Sequence, residues 1–270
     1  MKEVKEFMVD IHTHVLSNID DGAKDLATSL ALLKMAAEAG TTDIIATPHV
    51  IEGAEHPEWQ VIKQKTEDLN RNAQKAGIPI RVYAGAELEM NWDIIGLLKA
   101  GEEDYCLAGS RYVLIELPAT SVPNYAEELL YEVQTKDLIP VIAHPERHPK
   151  LAKHPEILHQ WVKNGALVQC NVGSVAGKFG QGAKDYVDLL LKNNMVHFFG
   201  TDAHNIEHRH TDTRAAMEML TKKVPPKTLD CITCTNPENI IKDSFFDAYI
   251  PKEFKSTEKQ NKGLWTRLFG

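Results

Sequence analysis

The sequence predicts an α/β fold, a closed parallel barrel of β/α units, on three observations. Seven short, apolar, β-branched runs bounded by Gly or Pro recur about every thirty residues, the size of one βαβ unit. Helical patterns lie between most of them. Seven such units in one chain favour a closed barrel over an open doubly wound sheet. The 270-residue length suits one such barrel, and no linker divides it.

Taken in order, Val9–His12 is the first strand, and Leu16–Gly22 is a loop rich in turn formers. Leu26, Leu30, Leu33 and Ala37 recur at helical spacing until Gly40 stops the helix. Asp43–Thr47 is a second buried strand. Ile62, Thr66, Leu69, Ala73 and Ala76 mark a long amphipathic helix closed by Gly77. Further strands are expected at 81–88, 112–117, 139–144, 167–172 and 197–201, with helices at 125–136, 156–164 and 183–193. The run Leu229–Thr235 reads as an eighth strand or a closing segment. After Pro251 the composition turns polar, so a single barrel domain over 1–254 is expected, followed by a polar tail over 255–270. In that tail Leu264, Trp265, Leu268 and Phe269 are expected to pack on the barrel or on a neighbouring subunit rather than to enter a membrane. An oligomer stays open.

Composition narrows the function. Hydrophobic content of 43% and charged content of 25% are those of a soluble globular protein. A net charge of −8 opposes a large nucleic-acid footprint, which needs a basic face. Neither a secretory leader nor an apolar run long enough to span a bilayer is evident. Four cysteines in a chain of this length do not make a disulfide framework, and a cytoplasmic location is expected. Cys231-x-x-Cys234 lies in a β-like run with no second pair, and reads as packed thiols rather than a zinc site.

Barrel chemistry sits at C-terminal strand ends and in the loops after them. Metal-ligand residue types appear there strand after strand: His12 and His14 with Asp21 in the following loop, His49, Glu87, Glu116, His144, and finally Asp202 and His204. On a regular strand, residues two apart share a face, which puts His12 beside His14 and Asp10 with them, a candidate to orient an imidazole. Each residue taken alone is as well explained by ordinary packing or solvation. Nine at one end of one barrel point to a metal cluster. Glu116 argues it most directly, because a carboxylate between Ile115 and Leu117 is costly to bury unless paired or metal-bound. Mixed His and carboxylate ligands without cysteine suit Mn²⁺, Fe or Zn²⁺, and nine ligands suffice for two or three ions.

Read as strings, DIHTH (10–14), ATPH (46–49), GAEL (85–88), IELP (115–118), AHPER (143–147) and GTDAHN (200–205) resemble the PHP (polymerase and histidinol phosphatase) superfamily. With Asp20-Asp21-Gly22, they are similar to the capsule-locus, manganese-dependent tyrosine phosphatases of bacteria. The resemblance runs from about residue 8 to Asn239. It implies a distorted (β/α)7 barrel, PHP or TIM-like, with a three-metal centre. His12, His14, Glu87 and Asp202 would hold the first metal. Glu87 would bridge to a second, held also by Glu116 and His144, and Asp21, His49 and His204 would hold the third. Arg147 and Arg209 match phosphate-binding positions, where a planar guanidinium suits a phosphate monoester. One departure is the loop ATPHVIEGAEHPEW: family members often carry a second histidine after ATPH, then a glycine and an aromatic, where this chain has Val50 and acidic residues.

The activity implied is metal-assisted hydrolysis of phosphotyrosine, with Arg147, Arg209 and His49 as the catalytic candidates and Mn²⁺ as the cofactor. His49's part as a general acid stays open. No Cys-x5-Arg phosphate loop is present. The implied partner and substrate is a tyrosine-phosphorylated bacterial tyrosine kinase that controls capsular or exopolysaccharide synthesis. The alternatives are another PHP phosphoesterase, such as histidinol-phosphate phosphatase, and a non-catalytic regulatory PHP domain.

Overall fold

The computed structural model describes residues 9–99, 101–246 and 248–253. The strands among them are β1 Val9–Thr13, β2 Asp43–Ala46, β3 His49–Val50, β4 Arg81–Ala84, β5 Glu87–Glu89, β6 Tyr112–Glu116, β7 Ile139–Ala143, β8 Leu167–Asn171 and β9 Phe198–Gly200. Every pairing between them is parallel. They fall into a three-stranded sheet, β1-β2-β4, and a six-stranded one, β3-β5-β6-β7-β8-β9. The strand expected at 81–88 is split, with Gly85-Ala86 separating β4 from β5, and beyond Thr47-Pro48 the short strand β3 forms where none was expected. A Cβ at Gly85 would lie 2.8 Å from the Ile45 side chain, so only glycine lets the chain pass there from one sheet to the other.

Along the far seam, β1 meets the segment after β9. Thr13 bridges Ala203, the Asp202 amide donates to the His12 carbonyl at 2.8 Å, and the His14 amide donates to the Ala203 carbonyl at 2.9 Å. These bonds bring the first and last ligand-bearing segments side by side. Strand alternation sorts the apolar residues into two cores. On β6, Val113 and Ile115 face the helices, while Tyr112 and Leu114 join Ile11, Val141 and Phe198 in a smaller inner core.

The expected helices form close to their predicted bounds, at Leu26–Glu38, Trp59–Lys75, Ala126–Gln134, Pro155–Lys163 and Gly180–Lys192. The first opens on Asp25, whose carboxylate accepts the Thr28 N–H at 2.8 Å, and Gly40 follows its end at φ 96°. No helix among the described residues is long and apolar enough to cross a membrane.

The strand alternative for Leu229–Thr235 is overturned: a helix over Pro226–Asp230 continues as a π-helical turn over Cys231–Thr235 and then as a helix over Asn236–Ile241. Pro237 has no N–H to donate to the Thr233 carbonyl and its ring crowds that carbonyl, which widens the turn before it. The Thr233 hydroxyl donates to the Leu229 carbonyl at 2.8 Å. Cys231 and Cys234 therefore sit on a helix rather than a strand, and neither forms a disulfide. The tail expected over 255–270, with its Leu264–Phe269 segment, lies outside the described residues.

Candidate metal centre

The nine ligand candidates arrive from seven different segments. β1 delivers His12 and His14, both buried at 0% and 1% exposure. The β1–β2 register shifts between Asp10 and Thr13, a local irregularity of the kind that re-aims side chains beside active sites. Glu87 opens β5 and Glu116 ends β6. His144, just after β7, takes φ 28°, and Asp202, after β9, takes φ 52°. Two non-glycine residues in left-handed conformation at strand ends store backbone strain where these side chains are aimed.

The structure brings all nine together in overlapping sets. Within each set the ligand atoms lie within 4.8 Å of one another: His14, Asp21, His49 and His204; His12, His14 and Glu87; His12, His144 and Asp202; His49, Glu87 and Glu116. The Nε2 atoms of His12 and His14 lie 3.2 and 3.3 Å from Glu87 Oε2, and 3.6 and 3.5 Å from Asp202 Oδ1. These four residues are the set expected for a first metal. His144 Nε2 is 2.8 Å from Glu87 Oε1 and 3.9 Å from Glu116 Oε2, the second expected set. His204 Nε2 and His49 Nε2 approach Asp21 Oδ1 at 3.2 and 3.6 Å, the third.

His49 is placed more centrally than expected. Its Nδ1 lies 3.1 Å from both Glu87 Oε2 and Glu116 Oε1, so its two nitrogens face two different sets.

His49 Nδ1, Glu87 Oε2 and His204 Nε2 are buried in this cluster, and each faces a neighbouring ligand atom at 3.1 or 3.2 Å without a hydrogen bond of good geometry. Divalent cations bound by nitrogen and oxygen would satisfy lone pairs that converge in this way. The residues present fit such ions.

The electrostatics agree. Burial opposes the Glu87 carboxylate, yet the facing His12, His14 and His144 imidazoles hold it well below the usual range. Asp202 is likewise held down against burial by His12, His144 and Arg209. Burial opposes charge on His14 too, but hydrogen bonds to Asp20 and Glu87 raise it to about 9. Against the same opposition, Glu116 and Glu87 raise His49 to about 12.

Both arginines reach the cluster. Arg147 Nη1 donates to Asp202 Oδ2 at 2.5 Å and Arg209 Nη2 to Asp202 Oδ1 at 2.6 Å. Arg147 also lies over the Phe179 ring at 4.7 Å. Arg209 is carried by a tight loop in which Asn205 Oδ1 accepts the backbone N–H groups of 207, 208 and 209.

The orienting residues are not the one expected. Asp10 accepts from the Thr201 hydroxyl at 2.5 Å and from the backbone of Thr201 and His12, and touches no imidazole. Gln169 Oε1 faces His12 Nδ1 at 3.0 Å and accepts the His144 N–H at 3.2 Å. Its amide donates to Asn171 Oδ1, and Asn171 Nδ2 donates to Asp202 Oδ2 at 2.7 Å. Glu146 backs this chain, accepting from the Asn171 N–H and the Ser174 hydroxyl. Asp20 Oδ2 is 2.7 Å from His14 Nδ1 and accepts the His49 N–H at 3.1 Å. The sequence reading missed Gln169 and Asn171, although two polar residues at period two inside an apolar strand were a visible signal. Of Asp20-Asp21 it singled out only the second.

The chain matches the family described as "Capsular polysaccharide synthesis, CpsB/CapC" over residues 8–242. It is 38% identical over 216 residues to the tyrosine-protein phosphatase YwqE of Bacillus subtilis, covering 80% of this chain and 85% of YwqE. It is 36% identical over 202 residues to the putative tyrosine-protein phosphatase CapC of Staphylococcus aureus, covering 75% of this chain and 79% of CapC. A solved structure from work on YwqE and Streptococcus pneumoniae CpsB, described as unique metal-dependent tyrosine phosphatases, superposes with TM-score 0.84. The identity there is 35%, covering 92% of this chain and 100% of that chain. A β-aspartyl dipeptidase from Fervidobacterium islandicum, at TM-score 0.51 and 13% identity over 90% of this chain and 75% of its own, shares the fold alone. With its parallel α/β fold, its clustered histidines and carboxylates, and these matches, the chain belongs to the CpsB/CapC family.

Proposed function

We propose that the chain is a metal-dependent phosphatase that hydrolyses phosphotyrosine monoesters on proteins. The observation that carries this reading is the convergence of nine nitrogen- and oxygen-bearing candidate ligands with two arginines at one end of the parallel strands. The relatives named as tyrosine-protein phosphatases support it. His12, His14, Glu87 and Asp202 would hold one ion, Glu87, Glu116 and His144 a second, and Asp21, His49 and His204 a third, with Mn²⁺ the expected metal. Bound ions supply Lewis-acid polarisation of the phosphoryl oxygens and lower the pKa of water toward neutrality.

The residues of the chain do the rest. Arg147 and Arg209 present planar donors to the phosphoryl oxygens and offset the charge that gathers there. Phe179 under Arg147 holds that guanidinium in place. Gln169 and Asp20 fix the orientation of His12 and His14. A phenolate leaves without strong protonation.

The family's tie to capsular polysaccharide synthesis supports, as substrate, a tyrosine-phosphorylated bacterial tyrosine kinase acting in that process. A reducing cytoplasm suits four cysteines that form no disulfide. The test is hydrolysis of a phosphotyrosine peptide with Mn²⁺ and with chelator, beside His12→Ala and Asp202→Ala, with metal content measured. Turnover that needs Mn²⁺, is lost in both variants and accompanies two or more ions per chain is expected. Strong preference for histidinol phosphate, or fewer than two ions with no turnover, refutes it.

A further inference from the structure

The two sides of the candidate metal centre carry different charges. On the β3 and β5 side stand the carboxylates of Glu52, shortly after β3, and of Glu89, which ends β5. At the other end of the same sheet, beyond β8 and β9, residues 172–179 and 208–216 enclose a cleft of about 290 Å³. Its inner end is formed by Thr201 and Arg209, which also bond Asp10 and Asp202, so the cleft opens directly beside the metal centre. The floor is apolar, with Val172, Gly173 and Phe179. A Cβ on Gly173 would meet Lys178 Cδ at 3.2 Å and Phe179 Cε2 at 3.3 Å, so glycine permits this segment to fold tightly over the cleft.

Its rim carries Lys178, His210 and Arg214, and Asp212 is the lone carboxylate among the lining residues. Asp212 is already engaged, with Arg214 Nε donating to its Oδ1 at 2.9 Å. Lys178 and His210 are left facing each other. The Asp212 N–H lies 3.2 Å from His210 Nδ1, and His210 Nε2 lies 2.9 Å from Lys178 Nζ, within hydrogen-bond distance. A carboxylate seated in the cleft would accept from the remaining N–H groups of the Lys178 ammonium.

Resting on the phosphatase reading, we propose that this cleft is a subsite for an acidic side chain, aspartate or glutamate, flanking the phosphotyrosine of the substrate. At about 290 Å³ the cleft is at the small end of ligand pockets and has room for an acidic side chain. The acidic rim across the candidate metal centre repels the same group and so gives the bound peptide one orientation.

The test uses phosphotyrosine peptides with neutral flanks, in which a single glutamate is moved through the positions on either side. Turnover of p-nitrophenyl phosphate is measured in parallel. Glutamate at one position is expected to raise kcat/KM roughly fivefold through KM, a gain that shrinks with added salt. In Lys178→Glu the preference should invert, favouring lysine at that position. The ratio between acidic and neutral peptides is the readout, because a variant that only damages the fold lowers both together. Equal kcat/KM for every flank, or a Lys178→Glu protein that keeps the glutamate preference, overturns the subsite. Absence of p-nitrophenyl phosphate turnover after Mn²⁺ loading instead overturns the phosphatase reading, and the subsite with it.

Discussion

Replacing Gln169 with methionine should weaken metal binding without touching a ligand. The side chain is fully buried and serves three partners: His12 Nδ1, the His144 N–H and Asn171 Oδ1. Methionine matches its length but offers none of these bonds. Each buried group left unpaired costs about 1–3 kcal/mol, so the metal-free protein should lose roughly 3 kcal/mol or more. For a chain of this size that corresponds to a fall in Tm of roughly 6–12 °C. Loss of a group that orients a metal-bound imidazole typically weakens metal affinity about 10- to 100-fold. The upward Tm shift produced by a fixed, saturating Mn²⁺ concentration should therefore shrink by about 1.4–2.7 kcal/mol in equivalent stability. Calorimetric titration of Mn²⁺ into the metal-free protein, with melting curves at several Mn²⁺ concentrations, measures both effects. Gln169→Glu keeps an acceptor for His12 and His144 and should fall between the two. A folded Gln169→Met protein that binds Mn²⁺ with wild-type affinity refutes the reasoning, whatever its Tm.

Asp20→Asn should lower the pKa of His14 from about 9, since burial already opposes the cation and the carboxylate is its first support; NMR titration of the metal-free protein reads this directly. Gly200→Ala should destabilise by about 1–3 kcal/mol, because the new Cβ would stand 2.7 Å from His12 Cβ and 3.0 Å from Gln169 Nε2. Chemical denaturation measures that loss, and unchanged stability would refute the close packing. His197 is lowered to about 4 by burial, so the unfolded chain takes up its proton first. Stability should therefore fall as pH drops from about 6.5 to about 4, by up to about 3 kcal/mol from this group. His197→Gln, which keeps an acceptor for the Val168 N–H, should show a shallower loss across that window; identical slopes would refute the assignment.

Much of the site could be read in advance because its ligands are chemically conspicuous. Glu116 stands out as a charge between Ile115 and Leu117, and the two-residue spacing in His12-x-His14 and Asp202-x-His204 survives any detail of the fold. The orienting residues were harder. An amide such as Gln169 is an ordinary residue until a histidine from another strand is found 3.0 Å away. Asp10 misled because strict alternation was assumed along β1, and the register shift before Thr13 breaks it. Leu229–Thr235 misled because its β-branched residues resemble a strand, while packing and Pro237 decide for a helix with a widened turn.

By itself, then, the sequence determined the parallel α/β fold, the period of its units and the nine candidate ligands that the fold gathers, because hydrophobic periodicity and side-chain chemistry are local properties. Only the tertiary structure decided that His49 faces two ligand sets, that Gln169, Asn171 and Asp20 hold the imidazoles and Asp202, and that a basic cleft opens beside Arg209. Each of these depends on distances between segments far apart in the chain, which the packing of the two sheets and their helices sets.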